Sequence, residues 1–233
     1  MSNRQPGSSF KPFIYSAALE KGFNPSTFID DEPIVISASQ TGSQAWEPHN
    51  YDGKYEGPMQ MRTALAKSKN MVSIRILQSI GTRYAQDYSS RFGFDAAKHP
   101  PYLTMALGAG SVTPWQMVTA YSVFANGGLR ISPYVIRDIR DERNQVLALS
   151  PQAVSGGDTQ RVIDPRNAFL MDGMLRAVTI FGIAAGGGDV GDPREQPGVA
   201  GMGDPGDGGS LGEHGSSSRR VPACRVASPA SVD

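Results

Sequence analysis

A serine and a lysine stand three residues apart in the segment "PGSSFKPF", at Ser8 and Lys11. On a helix that spacing puts both side chains on one face, about 5–6 Å apart at Cβ. A serine hydroxyl is a weak nucleophile until a neighbouring group takes its proton. A lysine can do so when burial or nearby positive charge lowers its pKa towards neutrality. The pair therefore suits a serine nucleophile that needs no histidine, with Ser8 at the positive end of a helix dipole and Lys11 as its base. The plainer alternative is a capping serine beside a solvated lysine. With 24 serines and 6 lysines in 233 residues, chance alone supplies such a spacing ~0.6 times.

Ser68-Lys69-Asn70 is the second cluster, and it holds the chain's single Ser-x-Asn. Between two helices, a loop can turn such side chains into a cleft. A second hydroxyl can pass a proton towards a leaving amine, and an asparagine amide can orient both a lysine and a substrate carbonyl. The alternative here is a helix–helix turn built from ordinary capping residues.

The elements that must position these groups are legible in outline. "SSFKPFIYSAALEKG" reads as a helix ending at Gly22. Pro12 has no N–H, which is harmless only within the first helical turn, so the helix must begin near Ser8 or Ser9. "EPIVISAS" is expected to be a short strand, followed by a Gly/Pro/Asn-rich loop to Pro58. Helices are expected over "MQMRTALAKS", "MVSIRILQSIG", "TPWQMVTAYSVFANGG" and "DPRNAFLMDGMLRAV". The third is capped by Thr113 and the fourth by Asp164, each with proline at the first helical position. "PYVIRDIRDERNQVLAL" alternates around a polar turn, as a β-hairpin would.

Composition bounds the function. The 22 basic and 22 acidic residues cancel, so no charge argument points to nucleic acid or an anionic membrane. No apolar run approaches the ~18 residues of a membrane span. The polar opening "MSNRQPGSSF" lacks the apolar core of a leader peptide; read literally it starts a cytosolic product, and it equally suits a fragment of a larger protein. Cys224 is the only cysteine, so neither an internal disulfide nor a cysteine-based zinc site is expected. From Phe181 onward lie 13 of the 27 glycines and only one aromatic residue. So few large apolar groups cannot offset the ~1–2 kcal/mol per residue of backbone ordering entropy, and residues 180–233 are expected to be a disordered tail.

Together these segments resemble the transpeptidase domain of bifunctional (class A) penicillin-binding proteins. "NRQPGSSFKPFIYSAALEKG" is similar to that family's nucleophile segment, and "NYDGKYEGPMQMRTALAKSKNMVSIRI" to the segment carrying its Ser-x-Asn motif. "LGAGSVTPWQMVTAYSVFANGG" and "FLMDGMLRAV" are similar to later helices of the same domain. The likeness covers roughly residues 2–179, so residues 1–179 are expected to form a partial transpeptidase domain. It implies an α/β (α+β) fold of the serine β-lactamase/DD-transpeptidase type, incomplete and mainly its helical part, with little of the central sheet. It also implies roles for four residues. Ser8 would attack the D-Ala-D-Ala carbonyl of a peptidoglycan stem peptide and become acylated, with Lys11 as base. Ser68 would relay a proton to the leaving nitrogen, and Asn70 would hold the substrate amide and Lys11. The backbone N–H of Ser8 would supply half of the oxyanion hole. The partners implied are stem peptides and β-lactam antibiotics, with no nucleic acid, no cofactor and no metal. The membrane would be reached only through an N-terminal anchor missing from this chain, the parent protein lying at the cell membrane with this domain on the periplasmic or extracytoplasmic side.

The family's third motif, Lys-Thr/Ser-Gly on an edge strand, is found nowhere in this sequence. A chain truncated or frameshifted after about residue 179 would look like this. A catalytically dead fragment and a serine β-lactam hydrolase of the same superfamily are therefore the alternative readings. Apolar faces on two helices (Phe10, Ile14, Ala17; Ile74, Ile76, Ile80) are expected to lose burial without the sheet that covers them in the family. Two further matches lie in the tail: "GGGDVG" at 186–191 fits a dinucleotide loop but is followed by prolines rather than a helix. "GGSLG" at 208–212, near His214, fits a nucleophile elbow but has no strand before it. His49 and His99 read as loop histidines, and Trp46 and Trp115 as packing residues.

Overall fold

The helix that begins at Lys11 is apolar on nearly every side, and such a helix is stable only at the centre of a domain. A computed structural model, which describes residues 2–38, 44–150 and 160–182, places it there. Every residue from Lys11 to Ala18 is buried. The chain enters through a 3₁₀ turn, Gly7–Phe10, and continues as α1, Lys11–Glu20, with Pro12 in the first turn. The expected start near Ser8 is thus a tighter turn, with the Lys11 N–H donating to the Ser8 carbonyl.

Strand β1, Phe28–Asp31, pairs antiparallel with β2, Gly57–Gln60, which leads directly into α2, Met61–Ala66. Helix α3, Asn70–Ile80, follows and stops at Gly81. Helix α4, Thr82–Ser90, was not expected from the sequence; its threonine, serines and tyrosines are weak helix formers. Helix α5, Pro114–Ala125, carries a full capping box between Thr113 and Gln116. Helix α6, Pro165–Phe181, is capped by the Asp164 side chain. Strand β3, Leu129–Arg130, pairs with β6, Gln160–Arg161, and the expected hairpin forms between β4, Asp138–Arg140, and β5, Val146–Leu149. The described strands make three separate two-stranded sheets. No described helix is long and apolar enough to cross a membrane.

The described part of "EPIVISAS", residues 32–38, is not a strand. It contributes only an isolated bridge from Ile36 to Trp46, while the paired strand lies upstream and ends before Pro33, which lacks the N–H a sheet ladder requires. The expected exposure of two helix faces is also corrected: Phe10, Ile14, Ala17, Ile74 and Ile76 are 0% exposed and Ile80 7%. Helix α1 packs against α3, α4 and α6, and α3 also meets the 3₁₀ turn Leu103–Leu107, so helices supply the cover. An aromatic cluster of Phe10, Phe13, Phe92, Phe94 and Phe124 closes one end of this core. Among the described residues, the exposed large apolar side chains lie elsewhere, including Val135, Ile136, Leu147 and Phe169. The tail from residue 183, with both motif matches and Cys224, lies outside the described residues.

Candidate active site

Lys11 sits in the first turn of the central helix, so its four-carbon stem and ammonium are carried into the core, where the residue is 1% exposed. A buried ammonium needs acceptors. Three are supplied by the turn between α2 and α3: the Ser68 carbonyl at 2.5 Å, the Ser68 hydroxyl at 3.0 Å and the Asn70 side-chain oxygen at 2.8 Å. Burial lowers the Lys11 pKa from 10.5 to about 7. An amine poised there is part neutral near pH 7 and able to accept a proton.

Three of the four residues singled out in the sequence therefore meet. The fourth, Ser8, lies one turn before Lys11 in the 3₁₀ entry and is exposed. Its hydroxyl makes no hydrogen bond to a described residue, whereas the neighbouring Ser9 hydroxyl donates to the Pro6 carbonyl at 2.7 Å. Of the two adjacent serines, Ser8 is the one left available to a substrate.

The entry turn is held from two sides. Arg4 and Val112 exchange backbone hydrogen bonds at 2.8 and 2.9 Å, and the Gly7 N–H donates to the Gly108 carbonyl at 3.3 Å. Tyr121 on α5 donates its hydroxyl to the Ser9 carbonyl at 2.7 Å. Gly108, at φ +70°, lies so close to Gly7 that an added Cβ would fall 2.1 Å from the Gly7 oxygen. Beneath the turn, His99 stacks on Phe10 with ring centroids 4.9 Å apart. It is a loop histidine, as read, but a buried one, and neither ring nitrogen has a hydrogen-bond partner among the described residues.

The Ser68 turn is held from behind. Ser68 adopts φ +53°, a left-handed conformation that costs a non-glycine residue about 1–2 kcal/mol. Next to it Lys69 is 2% exposed. Its ammonium lies 3.3 Å from Asp31, 3.1 Å from Asp52 and 2.9 Å from Glu56. Burial pulls the Lys69 pKa down, but the hydrogen bonds that its ammonium donates to Glu56 and Asp52 and the negative charges around it outweigh that and hold it above the ordinary value. The site thus contains two buried lysines of opposite electrostatic character. Lys69 is a fixed cation, and only Lys11 is poised to exchange a proton near neutrality.

Asn50 completes the frame. Its side-chain oxygen accepts from the N–H groups of Asn70 at 2.8 Å and Met71 at 3.3 Å, capping α3 from a distant loop. Its amide donates to Asp31 at 2.6 Å and to the Lys54 carbonyl at 2.8 Å. The Asn70 amide donates to the His49 carbonyl at 2.7 Å, which leaves the Asn70 oxygen turned to Lys11. Sequence reasoning missed Asp31, Asn50 and Lys69. Asp31 and Asn50 lie in charged or polar loop-edge segments without periodicity. The one usable signal was Lys69 itself, a lysine between two apolar helices.

The family model described as "Penicillin binding protein transpeptidase domain" matches residues 1–193. Penicillin-binding protein 1A of Neisseria flavescens is 50% identical over 188 residues, which cover 81% of this chain and 24% of that protein. The Pseudomonas aeruginosa penicillin-binding protein 1A is 47% identical over 146 residues, 63% of this chain and 18% of that protein. The chain thus spans about a quarter or less of the length of these relatives. Among solved structures, penicillin-binding protein 1A of Haemophilus influenzae superposes with a TM-score of 0.68 at 36% identity, covering 76% of this chain and 30% of that one. Penicillin-binding protein A of M. tuberculosis, captured as an imipenem acyl-enzyme complex, shares the fold with a TM-score of 0.64 at 20% identity, covering 76% of this chain and 44% of that one.

Proposed function

Because this chain belongs to the penicillin-binding protein transpeptidase domain family, we propose that its lysine site performs serine acyl transfer on D-Ala-D-Ala stem peptides in peptidoglycan cross-linking. The observation that carries the reading is the buried Lys11, gripped by Ser68 and Asn70 one turn after an exposed serine.

In the first step the Ser8 oxygen attacks the carbonyl carbon between the two D-alanines, and its proton passes to neutral Lys11. Negative charge gathers on the carbonyl oxygen, where the Ser8 N–H is the nearby backbone donor; losing a single such donor typically costs ~10²–10³ in rate. As the C–N bond breaks, the proton travels from Lys11 through the Ser68 hydroxyl, 3.0 Å away, to the departing D-alanine nitrogen. An ester on Ser8 remains. In the second step an amine of a neighbouring stem attacks that ester, the new amide forms, and the Ser8 oxygen recovers its proton. Asn70 orients the substrate amide through the same side chain that fixes Lys11. A β-lactam, which mimics the dipeptide, would acylate the same serine. These substrates lie outside the cytoplasmic membrane, so the reading puts the parent protein at that membrane with this domain on its outer face.

The test is to incubate the full chain with a fluorescent penicillin and map the adduct by peptide mass spectrometry. The adduct is expected on Ser8, forming slowly because no Lys-Thr-Gly or Lys-Ser-Gly is present in the sequence to bind the substrate carboxylate. Ser8→Ala should abolish it. An adduct that survives Ser8→Ala, or none in the wild type after prolonged exposure, overturns the assignment of Ser8 as acyl carrier in this chain. Persistence of the adduct is expected of a transpeptidase, and rapid loss would mark a β-lactam hydrolase instead.

A further inference from the structure

The middle residue of Ser68-Lys69-Asn70 faces away from the reacting groups, yet it is the most heavily partnered cation among the described residues. Its ammonium reaches Asp31 at the end of β1 and Asp52 and Glu56 in the loop before β2. It also donates to the Lys54 carbonyl at 3.3 Å. Asp31 is 0% exposed and is a hub: it accepts from Lys69, from the Asn50 amide at 2.6 Å and from the Glu56 N–H at 3.1 Å. Lys67 adds a second, more exposed contact to Glu56 at 2.7 Å. Burying the Lys69–Asp31 pair gains little stability by itself, since desolvation offsets the Coulomb attraction. What it does supply is geometry. Backbone hydrogen bonds from the Ser68 N–H to the Leu65 carbonyl at 3.0 Å and from the Lys69 N–H to the Ala64 carbonyl at 2.9 Å close the left-handed turn locally at the end of α2, and the Lys69 side chain is the tie that pins this turn to β1 and its loop.

We propose that Lys69, anchored on Asp31, is a positioning residue that holds the left-handed turn at Ser68, so that the Ser68 carbonyl, the Ser68 hydroxyl and the Asn70 side-chain oxygen converge on Lys11. Asp31 acts twice, through Lys69 on Ser68 and through Asn50 on the N-terminus of α3. The charges that face Lys69 are Asp31, Asp52 and Glu56, with Lys67 behind Glu56. Removing Lys69 lets the turn relax and draws the three oxygens away, leaving the Lys11 ammonium buried with fewer acceptors. Its charged form then becomes harder to hold. The proposal rests on the acyl-transfer reading only in calling Lys11 a base; the geometry stands without it.

The experiment follows the Lys11 side chain by NMR in the full chain labelled with ¹³C-lysine, with Lys11→Met assigning the signal. The wild-type midpoint is expected near 7. In Lys69→Met, checked by a cooperative thermal melt, the midpoint should fall by about one pH unit, and penicillin acylation should slow by up to ~10² from misplacement of the reacting groups. Lys69→Arg keeps a cation among the carboxylates and should keep the wild-type midpoint. An unchanged midpoint in Lys69→Met overturns the proposal, because the oxygens have stayed in place. A raised midpoint also overturns it, because loss of the Lys69 charge beside three carboxylates favours the Lys11 ammonium by itself, and the midpoint falls only if the oxygens have moved away. So does an Arg variant displaced as far as the Met variant, since the charge is then not what positions the turn. Should Lys69→Met lose its cooperative melt, Asp31→Asn carries the test, with a smaller fall expected and no change overturning the proposal. A wild type without any Ser8-dependent adduct overturns the acyl-transfer reading alone, while the NMR midpoint still decides the positioning.

Discussion

The Lys11 ammonium donates to the Asn70 side-chain oxygen at 2.8 Å across 59 residues of chain. Each residue is held in place by its own surroundings. Lys11 is fixed by its position in the central helix, and Asn70 is fixed by Asn50 and by the His49 carbonyl. The contact joins the two sequence motifs into one site and leaves Lys11 as the buried lysine whose pKa is lowered towards neutrality.

The lowered Lys11 pKa has a consequence for stability. Between the folded value of about 7 and the ordinary 10.5, the unfolded chain binds the Lys11 proton more fully than the folded one. Stability therefore rises with pH across that window, and below about 7 the cost of burying the charge is constant. Lys11→Met lacks this dependence. The melting temperature of the wild type, measured relative to Lys11→Met, should climb from pH 7 to pH 10; a flat difference would show that Lys11 titrates normally.

Lys11→Ala removes the proton acceptor and leaves Ser8 in place. Penicillin acylation should slow by at least ~10², the lower range for loss of a general base. In the wild type the rate should increase with pH through about 7 as Lys11 becomes neutral. A stopped assay sampled from pH 5.5 to 9 measures both.

Asn50→Ala deletes the cap on the Asn70 and Met71 N–H groups and one partner of buried Asp31. Leaving buried polar groups unpaired costs about 1–3 kcal/mol. Urea unfolding should register a loss of that size. Acylation should fall as well, because Asn70 is no longer held from behind.

Gly108 and Gly127 both have positive φ, +70° and +60°, but only Gly108 lies against backbone. Gly127→Ala meets nothing within 4 Å and should lose only the ~1–2 kcal/mol of a left-handed alanine. Gly108→Ala drives a methyl into the Gly7 carbonyl. It should lose more stability than Gly127→Ala and, in whatever fraction remains folded, disturb the turn that carries Ser8. Paired melts and acylation rates distinguish the two.

His99 is held below its ordinary pKa chiefly by burial, with Lys98 acting in the same direction and Asp95 against it. Because the folded pKa is lowered, its neutral form contributes stability above the unfolded value of ~6.5, and that contribution is lost as pH falls below it. His99→Leu should flatten the acid limb of a plot of melting temperature against pH between 6.5 and 4.5. An unaltered acid limb would assign that slope to other groups.

Much of the frame was legible locally. Thr113 and Asp164 cap the helices they were expected to cap, with proline behind each, because capping is settled within four residues. The polar turn in "RDIRDERNQVLAL" specifies its hairpin for the same reason. The strand misplaced onto "EPIVISAS" and the unexpected α4 are cases where pairing and packing partners outweighed local preference.

The four chemically suggestive residues, Ser8, Lys11, Ser68 and Asn70, were found from type, spacing and resemblance. What the sequence by itself determined was that a serine and a lysine stand three residues apart where a helix begins and that a Ser-x-Asn turn lies some sixty residues on. Only the tertiary structure decided that the turn meets the lysine, that Lys69 is caged among Asp31, Asp52 and Glu56, and that Lys11 is buried deeply enough to titrate near neutrality. The reason is physical. Periodicity and caps are properties of a few consecutive residues, whereas a pKa and a hydrogen-bond partner belong to the surroundings that packing assembles from distant segments.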